Sequence, residues 1–580
     1  MNHSKHEETL ISSTVPSEYY DENFIPGTTN ILTGHITDES SSITTTTSTN
    51  QLKRDPKTGH VLIPQPSDSP NDPLNWSPRR KFWQLILLSV ITGLTAATSN
   101  SAGASQDSLN EMYGISYDAM NTGAGVLFIF IGWSCLVFAP ASSLYGRRIT
   151  YLICLLSGTL GCVWFAVSKR TSDTIWSQAF IGLSESCAEA QVQQSLTDLF
   201  FSHSLGTVLT IYISATSIGT FLGPLFSELI SEDQSFRWVG WWGAIFSGAT
   251  LLITLFFCEE TVFDRQLYTK VYESKNAPTS SSTDLPDKQD KEDCDDKTNE
   301  LENVVSKELE VVTDPETSQE VKKPYLKRIA LITPAPYLIG YGFKQYLERF
   351  IIYFKVFTLP GVWFSGLLWG LQDTYMTFFL TTQDTFFYDP PWNKSNTGVA
   401  IMNVATLIGA IIGCVVSGYF SDFHVVWLAK RNNGIMEAEY RLYLLIITLV
   451  ISPVGLIMFG VGAARNWPWQ VIYVGLGFIG FGWGSIGDTS MSYLMDAYPD
   501  IVIQGMVGVS IINNTLACIF TFACSYWLDG SGTQNTYIAL SVIDFGTIAL
   551  VFPFLYWGKT FRKKTKKIYV SLVELTRGMG

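Results

Sequence analysis

NTGAGVLFIFIGWSCLVFAPASSLYGRR, residues 121–148, is an uncharged apolar run that stops at a glycine and two arginines. A helix of about twenty apolar residues crosses the ~30 Å hydrocarbon core of a bilayer. A run that is apolar all round, with arginines only at its end, belongs in lipid. Eleven further blocks of the same kind lie at roughly 82–102, 149–167, 175–196, 206–229, 238–257, 360–380, 397–420, 441–462, 469–494, 505–527 and 535–556. The chain therefore reads as an all-α membrane protein with twelve transmembrane helices in two sets of six.

The rest of the composition fits. The 580 residues are 47% hydrophobic, yet the mean hydropathy is only +0.18, because polar stretches at 1–81 and 258–325 dilute the apolar blocks. Many of the acids behind the net charge of −13 sit in one loop, so that charge says little about partners. The nine cysteines show no metal-like spacing, and no nucleophile–base set or nucleotide loop stands out. No metal, cofactor, disulfide, nucleic-acid partner or enzymatic activity is expected. The first eighty residues lack an apolar leader segment, which predicts that the first span is the insertion signal.

Basic residues orient the chain. With the amino terminus inside, only Lys169, Arg170, Arg237, Lys394 and Arg465 of the 38 Lys and Arg fall outside. Both termini are then cytosolic. The expected organisation is a disordered tail over 1–81, a six-helix bundle over 82–257, an acidic linker with an interfacial segment over 258–357, a second bundle over 358–556 and a basic tail over 557–580. From Pro324 to Phe357 the linker suits either a helix lying on the inner leaflet or a simple tether. Asn393-Lys394-Ser395 falls outside, a candidate glycosylation site.

Several motifs then bear on family. Tyr145-Gly146-Arg147-Arg148 joins the second and third spans, and a partial copy, Gly418-x-x-x-Asp422 with Lys430-Arg431, joins the eighth and ninth. In the fifth span stands Gly219-Thr-Phe-Leu-Gly223-Pro224. This order resembles the major facilitator superfamily, in its fungal branch related to drug:proton antiporters. Ala139 and Ser143 replace the inner-loop signature's earlier Gly and Asp, and Ser227-Glu228 replaces the glycines that usually end the span-five signature. Asn71-Asp-Pro-Leu-Asn-Trp76, Ser184-Glu185 through Glu189-Ala-Gln191, and Gly487-Asp488 through Asp496 are similar to the yeast histidinol and polyamine permease subgroup. The resemblance implies the major facilitator fold, a gating role for Gly146, Arg147, Arg148 and Asp422, and uptake of organic cations across the plasma membrane. For Gly219, Gly223 and Pro224 a packing role stands beside the mechanistic one.

A charge census of the spans is independent of family. Their interiors hold no Lys, Arg or His, but carry Glu185 and Glu189 in the fourth span, Asp373 in the seventh, Asp488 in the tenth and Asp544 in the twelfth. Ionised carboxylates in lipid cost at least ~2.5 kcal/mol each and need a proton, water or a cation. Gln178, Gly182, Glu185 and Glu189 recur at helical spacing on one face. Trp363, Trp369 and Tyr375 surround Asp373 in sequence and suit cation–π contact. Asn513 and Asn514 offer neutral hydrogen bonds. The expected substrate site is Glu185, Glu189, Asp373, Asp488, Trp369, Tyr375 and Asn513. Asp544 reads rather as packing, and a protonated, hydrogen-bonded role inside the bundle stays open for the other acids.

Three functions follow in order: a proton-linked importer of polyamines and histidinol-like amines, an exporter of amphipathic cations in exchange for protons, and a nutrient sensor without flux. The chain is read as a monomer in membrane lipid. The orientation is testable: protease applied outside sealed cells should leave 284–320 uncut, whereas cleavage there from outside reverses the assignment.

Overall fold

In hydrocarbon every backbone N–H and C=O must be satisfied within its own segment, so each apolar block is helical. The computed structural model describes residues 17–30, 53–54, 62, 64–265, 322–335, 338, 340–388 and 390–578; the acidic stretch 284–320 lies outside them. The first half comprises α1 (Pro78–Ser99), α2 (Tyr117–Tyr145), α3 (Arg147–Ala166), α4, α5 (Ser202–Asp233) and α6 (Phe236–Phe257). Helix α4 runs through Thr171–Cys187, a wide π turn at Ala188–Val192, and Gln193–Leu199. The second half comprises α7 (Pro360–Phe386), α8 (Asn396–Arg431), α9 (Leu445–Ala464), α10 (Trp469–Ala497), α11 (502–531) and α12 (533–548).

Nine stretches among the described residues are long and apolar enough to cross a membrane, and the difference from twelve has physical causes. One stretch, Pro499–Thr576, contains both α11 and α12. Gly532 breaks it at φ 73°, and Thr536 Oγ1 donates to the Trp527 carbonyl at 3.3 Å. Nine residues of unbroken helix would separate those positions by about 13 Å, so the chain reverses at Gly532. Helix α7 is bent by 83° from the linker helix that precedes it. Helix α4 is polar because it carries Glu185, Glu189 and four glutamines.

The two halves repeat one pattern of contacts. In the first, α1 packs on α5, α2 on α4 and α3 on α6; in the second, α7 packs on α11, α8 on α10 and α9 on α12. The halves meet where α2 crosses α11 and α5 crosses α8. Internal repetition of this kind accompanies sites at the bundle midplane. Gly219 and Gly223 allow α5 to touch α1: a Cβ at Gly219 would sit 1.9 Å from the Gly93 carbonyl oxygen, and one at Gly223 2.7 Å from that of Ala97. Close helix contact therefore accounts for both glycines.

Both termini lie at one end of the bundle. There β1 (Thr28–Asn30) pairs antiparallel with β2 (Ile435–Glu437). Arg562 of the C-terminal helix (Val551–Gly578) is buried between Glu439, the Pro26 carbonyl and Thr28. Tyr19 and Tyr569 both donate to Asp500, at 2.6 and 2.5 Å. The expectation of a disordered tail over 1–81 is thus corrected for 17–30, whose aromatic and strand contacts hold it to the second half. Asp72, in the Asn71–Trp76 motif, is also buried, and Arg265 pairs with it at 3.2 Å. The linker helix Phe343–Lys355 leaves Phe343, Leu347, Ile351 and Phe354 exposed along one side, a stripe suited to a lipid surface. Its other side meets α2, where Arg349 donates to Ser143 Oγ at 2.7 Å.

Gly219→Val should disrupt the α1–α5 contact, because overpacking typically costs about 1–3 kcal/mol and here the obstacle is backbone. The expected result is a lower melting temperature of the purified protein; an unchanged one would mean that α1 and α5 can separate freely.

Candidate functional site

A cavity of about 360 Å³ lies between the halves. Its walls come from α1, α2, α3, α4, α5, α7, α8 and α11, and it reaches from mid-helix residues such as Glu185, Glu189, Trp369, Asp373 and Trp483 of α10 toward the end away from the termini. Glu185 and Glu189 face it from α4, together with Gln178. Gly182 does not; it seats α4 against α2, where a Cβ would lie 2.4 Å from the Leu127 carbonyl oxygen. The π turn at Ala188–Val192 re-aims the chain at Glu189, a device common at functional sites.

Opposite stands Asp373 of α7, whose Oδ1 accepts from the Trp483 indole N–H at 3.1 Å. Trp369 packs on Trp483 with ring centroids 4.8 Å apart, and Phe221 meets Trp483 edge-on at 5.7 Å. A carboxylate beside a pair of tryptophans can hold an organic cation by charge, with the rings available for cation–π attraction. A fourth acid, Glu228, lines the cavity from α5, and Asn403 and Asn514 add amides. No Lys, Arg or His lines it among the described residues.

The other expected site residues do not line the cavity. Asp488 is fully buried against Thr210 of α5, off the cavity wall. Asn513 is buried where α11 crosses α7 at Gly370, beside Asp373 but off the cavity wall, and its neighbour Asn514 takes the cavity position. Tyr375 is buried away from the cavity, while Trp363 is exposed and donates to the Phe357 carbonyl. Asp544 accepts from Gln372 at 3.0 Å inside the second half. Asn393 is exposed in the loop between α7 and α8, at the cavity end. Glu228 and Trp483 were not singled out from sequence: the former stands near a helix end, and the latter looks like any packed aromatic.

The end bearing the termini is closed. Asp422 of α8 accepts from the Thr207 N–H and Oγ1 of α5, at 2.7 and 3.0 Å, which joins the two halves. Its other oxygen takes Arg441 at 3.0 Å, and Arg441 also holds Asp496 at 2.5 Å. Gly206 leaves room for this: a Cβ there would lie 2.2 Å from Asp422 Oδ1. The second copy of the loop motif thus spans the seam. The first does not: Arg147 pairs with Asp198 and Thr261. Arg148 donates to the carbonyls of Leu255, Ile329 and Ala330. These bonds stay within the first half and the linker. Gly146, at φ 99°, begins α3, whose first N–H groups donate to Glu260.

Two repeated six-helix halves around a cavity that carries carboxylates, closed at one end by contacts between them, form the architecture of a membrane transporter that works by alternating access. The chain belongs to the Major Facilitator Superfamily, whose profile matches residues 85–522. It is 53% identical to Protein HOL1 of Saccharomyces cerevisiae, over 96% of this chain and 98% of that one. It is 49% identical to an uncharacterized MFS-type transporter of Schizosaccharomyces pombe, over 89% and 90% of the two chains. The solved structure of the proton:xylose symporter XylE shares the fold at a TM-score of 0.54 and 11% identity, over 83% of this chain and 97% of that one.

Asp422→Asn should weaken the bonds across the seam. Hydrogen bonds to a charged group contribute about 1.5–3 kcal/mol, so the balance between closed and open seam should shift by roughly tenfold or more. A cysteine introduced at Asn121 on the cavity wall should then be labelled more slowly; an unchanged rate at equal expression removes Asp422 from the gate.

Proposed function

We propose that this transporter carries organic cations with more than one amine, polyamines foremost, by alternating access around the acidic cavity. The observation that carries this reading is the cavity's charge: Glu185, Glu189, Asp373 and Glu228 face it, and no basic side chain among the described residues answers them. Carboxylates in a confined, low-dielectric space require cations or protons. A ligand that brings several positive charges supplies them in one molecule. Trp369 and Trp483 beside Asp373 suit the alkyl chain of such an amine, which is apolar between its charges. The similarity of the Asn71–Trp76 and Ser184–Gln191 motifs to the histidinol and polyamine permease subgroup supports the same class and favours uptake at the plasma membrane, with both termini cytosolic. Protons are the natural second partner, since the same acids must be neutral or paired when the amine leaves.

The cycle follows from the seam. With the Asp422–Thr207 contact made, the cavity addresses the side away from the termini and takes up the amine. Parting of α5 from α8 exposes it to the other side. An exporter of amphipathic cations would use the same cavity. Its distinguishing motif, the glycines of α5, is accounted for by contact with α1, so import is preferred.

Labelled spermidine binding and uptake, in cells lacking their own carriers and at matched surface expression, test the reading. Loss of one partner from a buried ion pair costs about 3–5 kcal/mol, and hydration of the cavity should reduce that to roughly half. Even so, Glu185→Gln, Glu189→Gln and Asp373→Asn should each weaken binding about tenfold or more. Wild-type affinity in all three would overturn the acidic-cavity reading.

A further inference from the structure

Asp488 is the buried acid that the cavity leaves unused. It stands on α10 with no exposed surface, and its Oδ1 has no hydrogen-bond partner. Its Oδ2 lies 3.1 Å from Thr210 Oγ1 on α5, across the seam between the halves. Gly418 on α8 closes the third side; a Cβ there would come within 2.2 Å of the same oxygen. The site is therefore built from both halves, in the layer below the cavity that parts when the seam opens.

Asp488 is buried in a layer where the one nearby cation is already shared. The groups that face Asp488 are Cys414 and Asp422 on α8 and Arg441 before α9, while α5 offers Thr210 and α7 the Trp369 ring beside Gly487. Arg441 is committed to Asp422 and Asp496, so one cation already serves two carboxylates. A third negative charge in this buried layer would have no counter-ion.

The hydrogen count agrees. Thr210 has one hydroxyl hydrogen, and three acceptors surround it: the Gly206 carbonyl at 3.0 Å, the Cys414 carbonyl at 3.4 Å and Asp488. Carbonyls can only accept, so an ionised Asp488 would compete for that single hydrogen. A protonated Asp488 donates to Thr210 Oγ1 instead, and Thr210 donates to Gly206. Its unpartnered Oδ1 is then the oxygen of a neutral acid rather than of a buried anion.

We propose that Asp488 is a proton-carrying site of the transport cycle, separate from the substrate cavity, which holds its proton while α5, α8 and α10 are in contact and releases it when they part. On release the carboxyl O–H bond breaks, its electron pair stays on the oxygen, and the proton passes to water entering the opened seam. The inference rests on the alternating-access reading above but not on the identity of the amine.

Two measurements on the full-length protein test it. Infrared spectra of the purified wild type and Asp488→Asn should differ by one protonated-carboxyl C=O band, and Thr210→Val should shift that band. In proteoliposomes, Asp488→Asn should retain spermidine exchange without a gradient and lose accumulation driven by a pH gradient. Asparagine closely matches a protonated aspartate in shape, so the variant should fold; retained exchange or an unchanged melting temperature verifies this. No missing band, or gradient-driven accumulation that persists in Asp488→Asn, overturns the proposal. If wild type carries no spermidine in either assay, the amine reading fails, and the infrared comparison still decides whether Asp488 holds a proton.

Discussion

A charge in hydrocarbon must be paired, hydrated or neutralised, and the placement of the acids around the cavity and the seam follows from that constraint. Acids with access to the cavity have no protein cation and look outward for one. Those at the closed end share Arg441, and the bond from Asp422 to Thr207 makes the shared network also a latch between halves. Asp488 has no cavity, and the one cation near it, Arg441, is committed to Asp422 and Asp496, which leaves a proton as its means of neutrality. Three solutions to one electrostatic problem thus divide the bundle into a binding layer, a seam and a gate.

The fold was largely legible because its signals are summed over many residues. Twelve apolar blocks, a polar middle and arginines at the inner ends are each averages that no single side chain can spoil. The site was legible where chemistry alone decides. Glu185, Glu189 and Asp373 stand out in any census of span interiors, but so do Asp488 and Asp544, and only the fold separates those that line the cavity from those that do not.

What was not legible depends on how each helix is rotated about its axis. Asn513 and Asn514 are adjacent, yet one helical step of about 100° sends the first into the α7 contact and the second into the cavity. Composition cannot choose between them; packing at Gly370 does. Trp483 was hidden because a cavity tryptophan and a core tryptophan obey the same local pattern. Arg147 and Arg148 are legible as a loop signature, but their partners, Asp198 and the linker carbonyls, lie far away in sequence and on the same half. The disordered-tail expectation failed over 17–30 for a similar reason: a short polar segment acquires order from a strand partner more than four hundred residues away.

That strand pairing has a consequence for measurement. Because β1 joins β2 and Arg562 clasps Pro26 and Thr28, residues 17–30 and the last helix both ride on the second half. A pair of fluorescent reporters placed within 17–30 and on the C-terminal helix would move as one body and stay silent while the halves rock. To register the motion, one reporter must be moved to the first half, for example beside Arg265 where α6 passes into the linker, with the other left on the C-terminal helix.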